Sequence, residues 1–141
     1  MLPPETTAKR AVRVLVAVSM AVVGVLHFAS PAGFVSIVPS LLPAPLLLVY
    51  VSGVAEITGG IGVLSRRFHR LAAFGLIALF VAVFPANINM AANDIQPSGS
   101  HMPEALLWLR LPFQGLFIAV AWWLSRSPVA GRPSPPVVPA A

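Results

Sequence analysis

Four long apolar runs dominate the chain, separated by short stretches where polar residues, proline and glycine collect. The first runs from Ala11 to Ala29 and is interrupted by Arg13, Ser19 and His27. The second covers about Leu46 to Leu64, the third Leu71 to about Ala92, and the fourth about Ala105 to Leu124. Each is close to the ~20 residues that cross a hydrocarbon core ~30 Å thick. A helix satisfies its own backbone in lipid, so the pattern predicts four membrane-spanning helices. Short connections place consecutive helices antiparallel. The predicted fold is all-α, an integral membrane antiparallel four-helix bundle over residues 1–126.

The connections differ in character. Ser30–Pro45 carries four prolines yet is largely apolar, which suits a segment lying in the interface or folded over the bundle mouth. Asn93–Glu104 holds Asp94, Gln96 and a Ser-Gly-Ser tip and reads as an exposed loop. Pro103 and Glu104 suit the first turn of a helix, where proline lacks only a donor the helix does not use and glutamate complements the dipole. From Ser127 onward five prolines rule out a continued helix, and a solvated, polyproline-like tail over 127–141 is expected.

Composition reinforces the membrane reading. Of 141 residues, 57% are apolar and 9% are charged, against ~25% charged in a soluble domain. The net charge of +5 comes from basic residues placed at the ends of the apolar runs. Lys9, Arg10 and Arg13 precede the first run, Arg66, Arg67 and Arg70 separate the second and third, and Arg126 and Arg132 follow the fourth. The other two loops carry no lysine or arginine, so the positive-inside rule places both termini in the cytoplasm. No basic face is interleaved with aromatics, and nucleic acid is not an expected partner. The first run is too long for a signal-peptide core, and no clear A-x-A cleavage site follows it. The chain has no cysteine, which excludes disulfides, thiol catalysis and iron–sulfur ligation within it.

Ionisable residues inside such runs are expensive, roughly 2.5–3.5 kcal/mol each at mid-bilayer, and mark candidate sites. His27, Glu56 and Arg110 are of this kind, and Asn87, Asn89 and Gln114 lie at similar depth. With the termini inside, all six fall in the outer half of the bundle, with Glu56 deepest at ~15 Å from the start of its span. Arg110 and Gln114 share a helix face that continues through Phe117 and Ala121. Ser52, Glu56, Gly59, Gly60 and Val63 share another, whose small residues let a neighbour approach closely. Met20, Gly24 and His27 align on the first span. Asn87 follows Phe80 and Phe84, whereas Asn89 is ~200° away from Asn87 and points elsewhere unless Pro85 reorients it.

Glu56 and Arg110 are the natural ion pair on this reading. The pair serves either to fix helix register or to orient a ligand or proton, and a neutral Glu56 donating to a carbonyl is a third state. One histidine with one carboxylate falls short of a zinc or iron site, so no metal centre is expected, although a lone histidine can ligate haem. His69 and His101 fall in loops on opposite sides, with His69 facing headgroups. Trp108, Trp122 and Trp123 sit near the ends of the fourth span and read as interfacial anchors. No phosphate-binding or nucleophile motif is present, and Gly59-Gly60-x-Gly62 reads as helix packing.

The chain resembles the DoxX-like family of small bacterial membrane proteins. The resemblance lies in Gly24–Phe28, Val51–Gly62, Phe84–Ala91 and Trp108–Gln114, in that order, one in each span. It implies a four-helix protein of the bacterial inner membrane. Members are linked to thiosulfate:quinone oxidoreduction and to resistance to quinones and oxidative stress, and related proteins act as partners or assembly factors. The shared positions are His27, Glu56, Asn87, Arg110 and Gln114. The expected function is a redox-associated subunit that binds a quinone-like lipid in its outer half, with electrons supplied by a membrane or redox partner or a bound cofactor. Arg110 or His27 would donate to a carbonyl oxygen, Glu56 would hold Arg110 or exchange a proton, and Asn87 and Gln114 would orient the headgroup. The alternative is a non-enzymatic scaffold or assembly factor whose polar cluster only locks the helices. A transport role would need a homo-oligomer to enclose a path.

Overall fold

The computed structural model describes residues 5–97 and 101–126. Among them are five helices: α1 (Thr7–Ala29), α2 (Pro31–Ile37), α3 (Pro45–Val63), α4 (His69–Ala92) and α5 (Glu104–Ser125). All but α2 are long and apolar enough to cross a membrane, and the chain is an all-α, multi-pass membrane protein. The expected tail over 127–141 and the Ser-Gly-Ser tip lie outside the described residues.

The ends of the helices follow local chemistry. Thr6 caps α1 by accepting from the Lys9 amide at 3.2 Å, so the helix begins earlier than the apolar run alone suggests. Proline opens α2 and α3, and Glu104 lies in the first turn of α5. α4 continues through Pro85 and α5 through Pro112.

The helices pack in the lateral order α1, α3, α4, α5. Each neighbour runs antiparallel to the last, as the paired residues show. Gly60 of α3 lies against Ala17 and Met20 of α1, Gly59 and Gly62 lie against Leu76 and Ala72 of α4, and Phe74 and Phe80 of α4 meet Trp122 and Phe117 of α5. Both described chain ends therefore lie at one end of the bundle, called here the terminal end; the other is the distal end. The central core is Ala17, Met20, Val63, Ala73, Leu76, Phe80 and Ala121. Around it, apolar side chains such as Leu15, Ile61 and Leu71 face outward, the arrangement a lipid-solvated bundle requires.

α1 and α3 come closest. A Cβ built on Gly24 would lie 2.8 Å from the Gly53 carbonyl oxygen, and one on Gly53 would lie 2.9 Å from the Gly24 carbonyl oxygen. Only glycine permits this approach, which brings the backbones together as small residues do in membrane helix pairs.

The proline-rich connection after α1 is not an extended loop. Seven of its residues form α2, which folds over the distal end and touches α1, α3 and α4. Ile37 packs there against a second small core of Met90, Ala91 and Leu107.

Candidate functional site

α1 delivers His27 in its last turn and α3 delivers Glu56 from its middle, and the Gly24–Gly53 contact sets their spacing. His27 Nδ1 lies 2.9 Å from the Val23 carbonyl oxygen and 3.3 Å from Glu56 Oε2. A carbonyl only accepts, so Nδ1 carries the proton and donates it within α1. Glu56 Oε2 is thereby left as a buried oxygen with no hydrogen-bond donor among the described residues. Both side chains are buried. Phe34 of α2 covers the imidazole, ring on ring at 3.9 Å. The result is an acid and a titratable ring in contact, roofed by an aromatic and shielded from water.

Asn87 and Gln114 form a second polar unit, between α4 and α5. Asn87 Nδ2 donates to Gln114 Oε1 at 2.6 Å, and Gln114 Nε2 donates to the Phe80 carbonyl oxygen. Gln114 is buried, and its amide is committed on both sides. Asn89 points a different way, as its angular offset from Asn87 predicts, and donates to the Ile37 carbonyl at 2.9 Å to tie α4 to α2. In a double-mutant cycle, Asn87→Leu and Gln114→Leu should couple by roughly 1 kcal/mol in detergent unfolding. Additivity within error would show that the bond contributes nothing to holding α4 on α5.

Arg110 corrects the sequence expectation. It does not pair with Glu56, whose neighbour is His27. Its side chain is exposed and reaches back along α5 to Met102 Sδ at 3.7 Å. Helical spacing put Arg110 on the face of Gln114, but α5 packs on α4 and not on α3, so the guanidinium stays exposed and away from Glu56. Of the five expected site residues, the structure brings together His27 with Glu56 and Asn87 with Gln114, and leaves Arg110 apart. His69 also differs: it is the first residue of α4, buried, with Nδ1 3.2 Å from the Arg66 carbonyl oxygen, rather than headgroup-facing in a loop.

A polar cluster at the terminal end was missed. Arg13 is fully buried and donates to Glu5 Oε1 at 2.7 Å, to the Val63 carbonyl at 2.8 Å and to the Leu124 carbonyl at 3.3 Å. Lys9 Nζ donates to the Trp123 carbonyl at 2.6 Å and lies over the Trp123 ring. The last turns of α3 and α5 are thus capped by basic side chains of α1, with Trp123 accepting from the Arg126 amide as well. The signal was present, because Lys9, Arg13, Ala17, Met20, Gly24 and His27 form one stripe along α1. The stripe of buried residues runs through two of the cations that the positive-inside reading used only to set orientation.

Trp108, Trp122 and Trp123 are roughly half exposed near the ends of α5, as interfacial anchors should be. Among the described residues no group of three or more histidine, aspartate or glutamate side chains could hold a metal ion. No curated protein and no solved structure matches the chain. A family model does match, across the four long helices from residue 16 to residue 125, and the chain belongs to the family described as Domain of unknown function (DUF8561).

Proposed function

We propose that the buried His27–Glu56 pair binds the headgroup of a quinone-like lipid, and that the protein serves as a redox-associated subunit of the bacterial inner membrane with both termini in the cytoplasm. The observation that carries this reading is Glu56 Oε2, a carboxyl oxygen buried in the membrane without a donor. Such an atom is costly unless something completes it. A neutral Glu56 donates to a quinone carbonyl, and an ionised one accepts from the hydroxyl of the reduced form. His27 beside it supplies a second titratable group, and Phe34 supplies an apolar roof of the kind that ligand pockets use. The resemblance to the DoxX-like family points the same way. The chain has no cysteine, so a thiol-based electron route would lie in a partner protein. Arg110 has no part in this pocket, and Asn87 and Gln114 support it only by fixing α4 against α5.

The scaffold reading is favoured by a different observation. Asn87, Gln114 and Asn89 all spend their amides on neighbouring helices. On that view the polar groups hold the bundle and nothing binds.

Titration of a decyl-tailed benzoquinone into the protein in nanodiscs separates the two. Saturable binding that weakens about tenfold in Glu56→Gln and in His27→Gln, with helicity unchanged, is the expected result. Absent binding in the wild type, or equal binding in all three, refutes the pocket and leaves the scaffold.

A further inference from the structure

α2 is the least rooted helix of the bundle. None of its residues is buried, whereas every long helix buries a stripe. The Asn89 amide holds the Ile37 carbonyl at 2.9 Å, and the Phe34 ring lies on the His27 imidazole at 3.9 Å. Ile37 rests against the small core of Met90, Ala91 and Leu107. The Ser36 hydroxyl adds no tie to another helix, since it donates within α2 to the Gly33 carbonyl at 2.8 Å. Elements with few buried apolar contacts open locally at the lowest cost, and the lids of binding sites are drawn from them.

Beneath α2 lies a buried oxygen in want of a donor. Glu56 Oε2 has no hydrogen-bond partner among the described residues. From α2 inward the order is Phe34, then His27, then Glu56: the phenyl ring covers the imidazole, and the imidazole Nδ1 stands 3.3 Å from Oε2. The seam between α1 and α3 beside this pair is shut, because Gly24 and Gly53 bring the two backbones into contact. The distal cover of the pair is therefore one aromatic ring carried on an unburied helix.

We infer that α2 is a gate over the His27–Glu56 pair: it lifts by parting the Asn89–Ile37 bond and the Phe34–His27 stack, and a ligand from the distal interface passes beneath it to reach Glu56. Opening breaks one side-chain hydrogen bond and one ring contact at the bundle mouth. Each is a small net term, so the closed form dominates and still opens often. What enters rests on the quinone reading above, but the motion of α2 does not, and the two are read by separate probes.

The probe for the gate is dicyclohexylcarbodiimide, an apolar reagent that adds whole to a protonated carboxyl group. Its rate of addition to Glu56 is followed by peptide mass spectrometry of the full chain in nanodiscs, in mildly acidic buffer. Exposed Glu104 serves as the internal standard. Asn89→Leu should speed labelling of Glu56 about fivefold and Phe34→Ala about tenfold, with Gly115→Ala, far from α2, unchanged. The chain has no cysteine, so Ile37→Cys with Asn89→Cys can be bridged by a short bis-methanethiosulfonate without competing thiols. Bridging should slow labelling about tenfold, and reductant should restore it. Equal rates in wild type, Asn89→Leu and the bridged protein overturn the gate, as does a Glu56 that stays unlabelled in every variant, Phe34→Ala included. Labelling that follows α2 while decyl-benzoquinone fails to bind upholds the gate and refutes the quinone.

Discussion

Gly53→Leu should be one of the two most damaging single substitutions in the protein. Its Cβ alone would sit 2.8 Å from His27 Cβ and from Phe28 Cε2, and 2.9 Å from the Gly24 carbonyl oxygen. Two of those three neighbours belong to backbone or to the first carbon of a side chain, so they yield only if α1 moves as a whole. Overpacking commonly costs 1–3 kcal/mol, and at a backbone contact the cost should reach the top of that range, about 3 kcal/mol. Separation of α1 from α3 would also pull His27 off Glu56, so the proposed quinone binding should fall with stability. Gly75→Ala and Gly115→Ala make the comparison sharp, since nothing lies within 4 Å of a Cβ at either position. Both should be neutral or stabilising by up to ~1 kcal/mol, because alanine suits a helix better than glycine. Unfolding in mixed micelles would rank the three. A Gly53→Leu protein as stable as Gly115→Ala would disprove the close approach of α1 and α3.

Arg13→Met should cost at least as much, roughly 3–5 kcal/mol. Methionine keeps much of the apolar stem but supplies no donor. The Val63 and Leu124 carbonyls lose the guanidinium that caps them, and Glu5 loses its cation. A partner left behind in a buried polar group costs more than the bond itself contributes. Glu5→Gln, which keeps an acceptor for Arg13, should cost far less, about 1 kcal/mol. Hydrogen exchange should quicken in the last turns of α3 and α5 in Arg13→Met, with the α2 region little changed. Uniform exchange across the bundle, or stability within ~1 kcal/mol of wild type, would show that Arg13 does not cap these helices.

Much of this architecture was legible in the residues, and the failures share a cause. Hydrophobic run length located all four long helices, and α3, α4 and α5 start or end within a few residues of the apolar runs. Face assignments on single helices also hold: Glu56, Gly59, Gly60 and Val63 are buried together, and so are Met20, Gly24 and His27. Periodicity fixes which residues share a face, but it is silent on which helix that face meets. For that reason Glu56 and Arg110 looked like partners while the lateral order α1, α3, α4, α5 gives Glu56 to His27. α2 escaped notice because prolines mark breaks, although a proline in the first turn of a short helix is tolerated. Arg13 and Lys9 were read for orientation alone, because basic residues at the edge of a span ordinarily mark its cytoplasmic side. Here they bend inward, where the carbonyls at two helix ends offer acceptors that lipid does not.

The Arg13 contacts also constrain how the protein is made. Its acceptors lie 50 and 111 residues further along the chain, at Val63 and Leu124. At ribosomal speeds of ~5–20 residues per second, the second of them is synthesised on the order of ten seconds after the arginine. During that interval Arg13 has the Glu5 carboxylate and, once α3 is made, the Val63 carbonyl, but not the acceptor that ties α1 to α5. Arrival of α5 supplies the Leu124 carbonyl and closes the tie between α1 and α5. A chain cut short before α5 would keep Arg13 on Glu5 and Val63 but leave α1 untied at its other flank, a difference by which membrane quality control could tell a copy lacking α5 from one that has it.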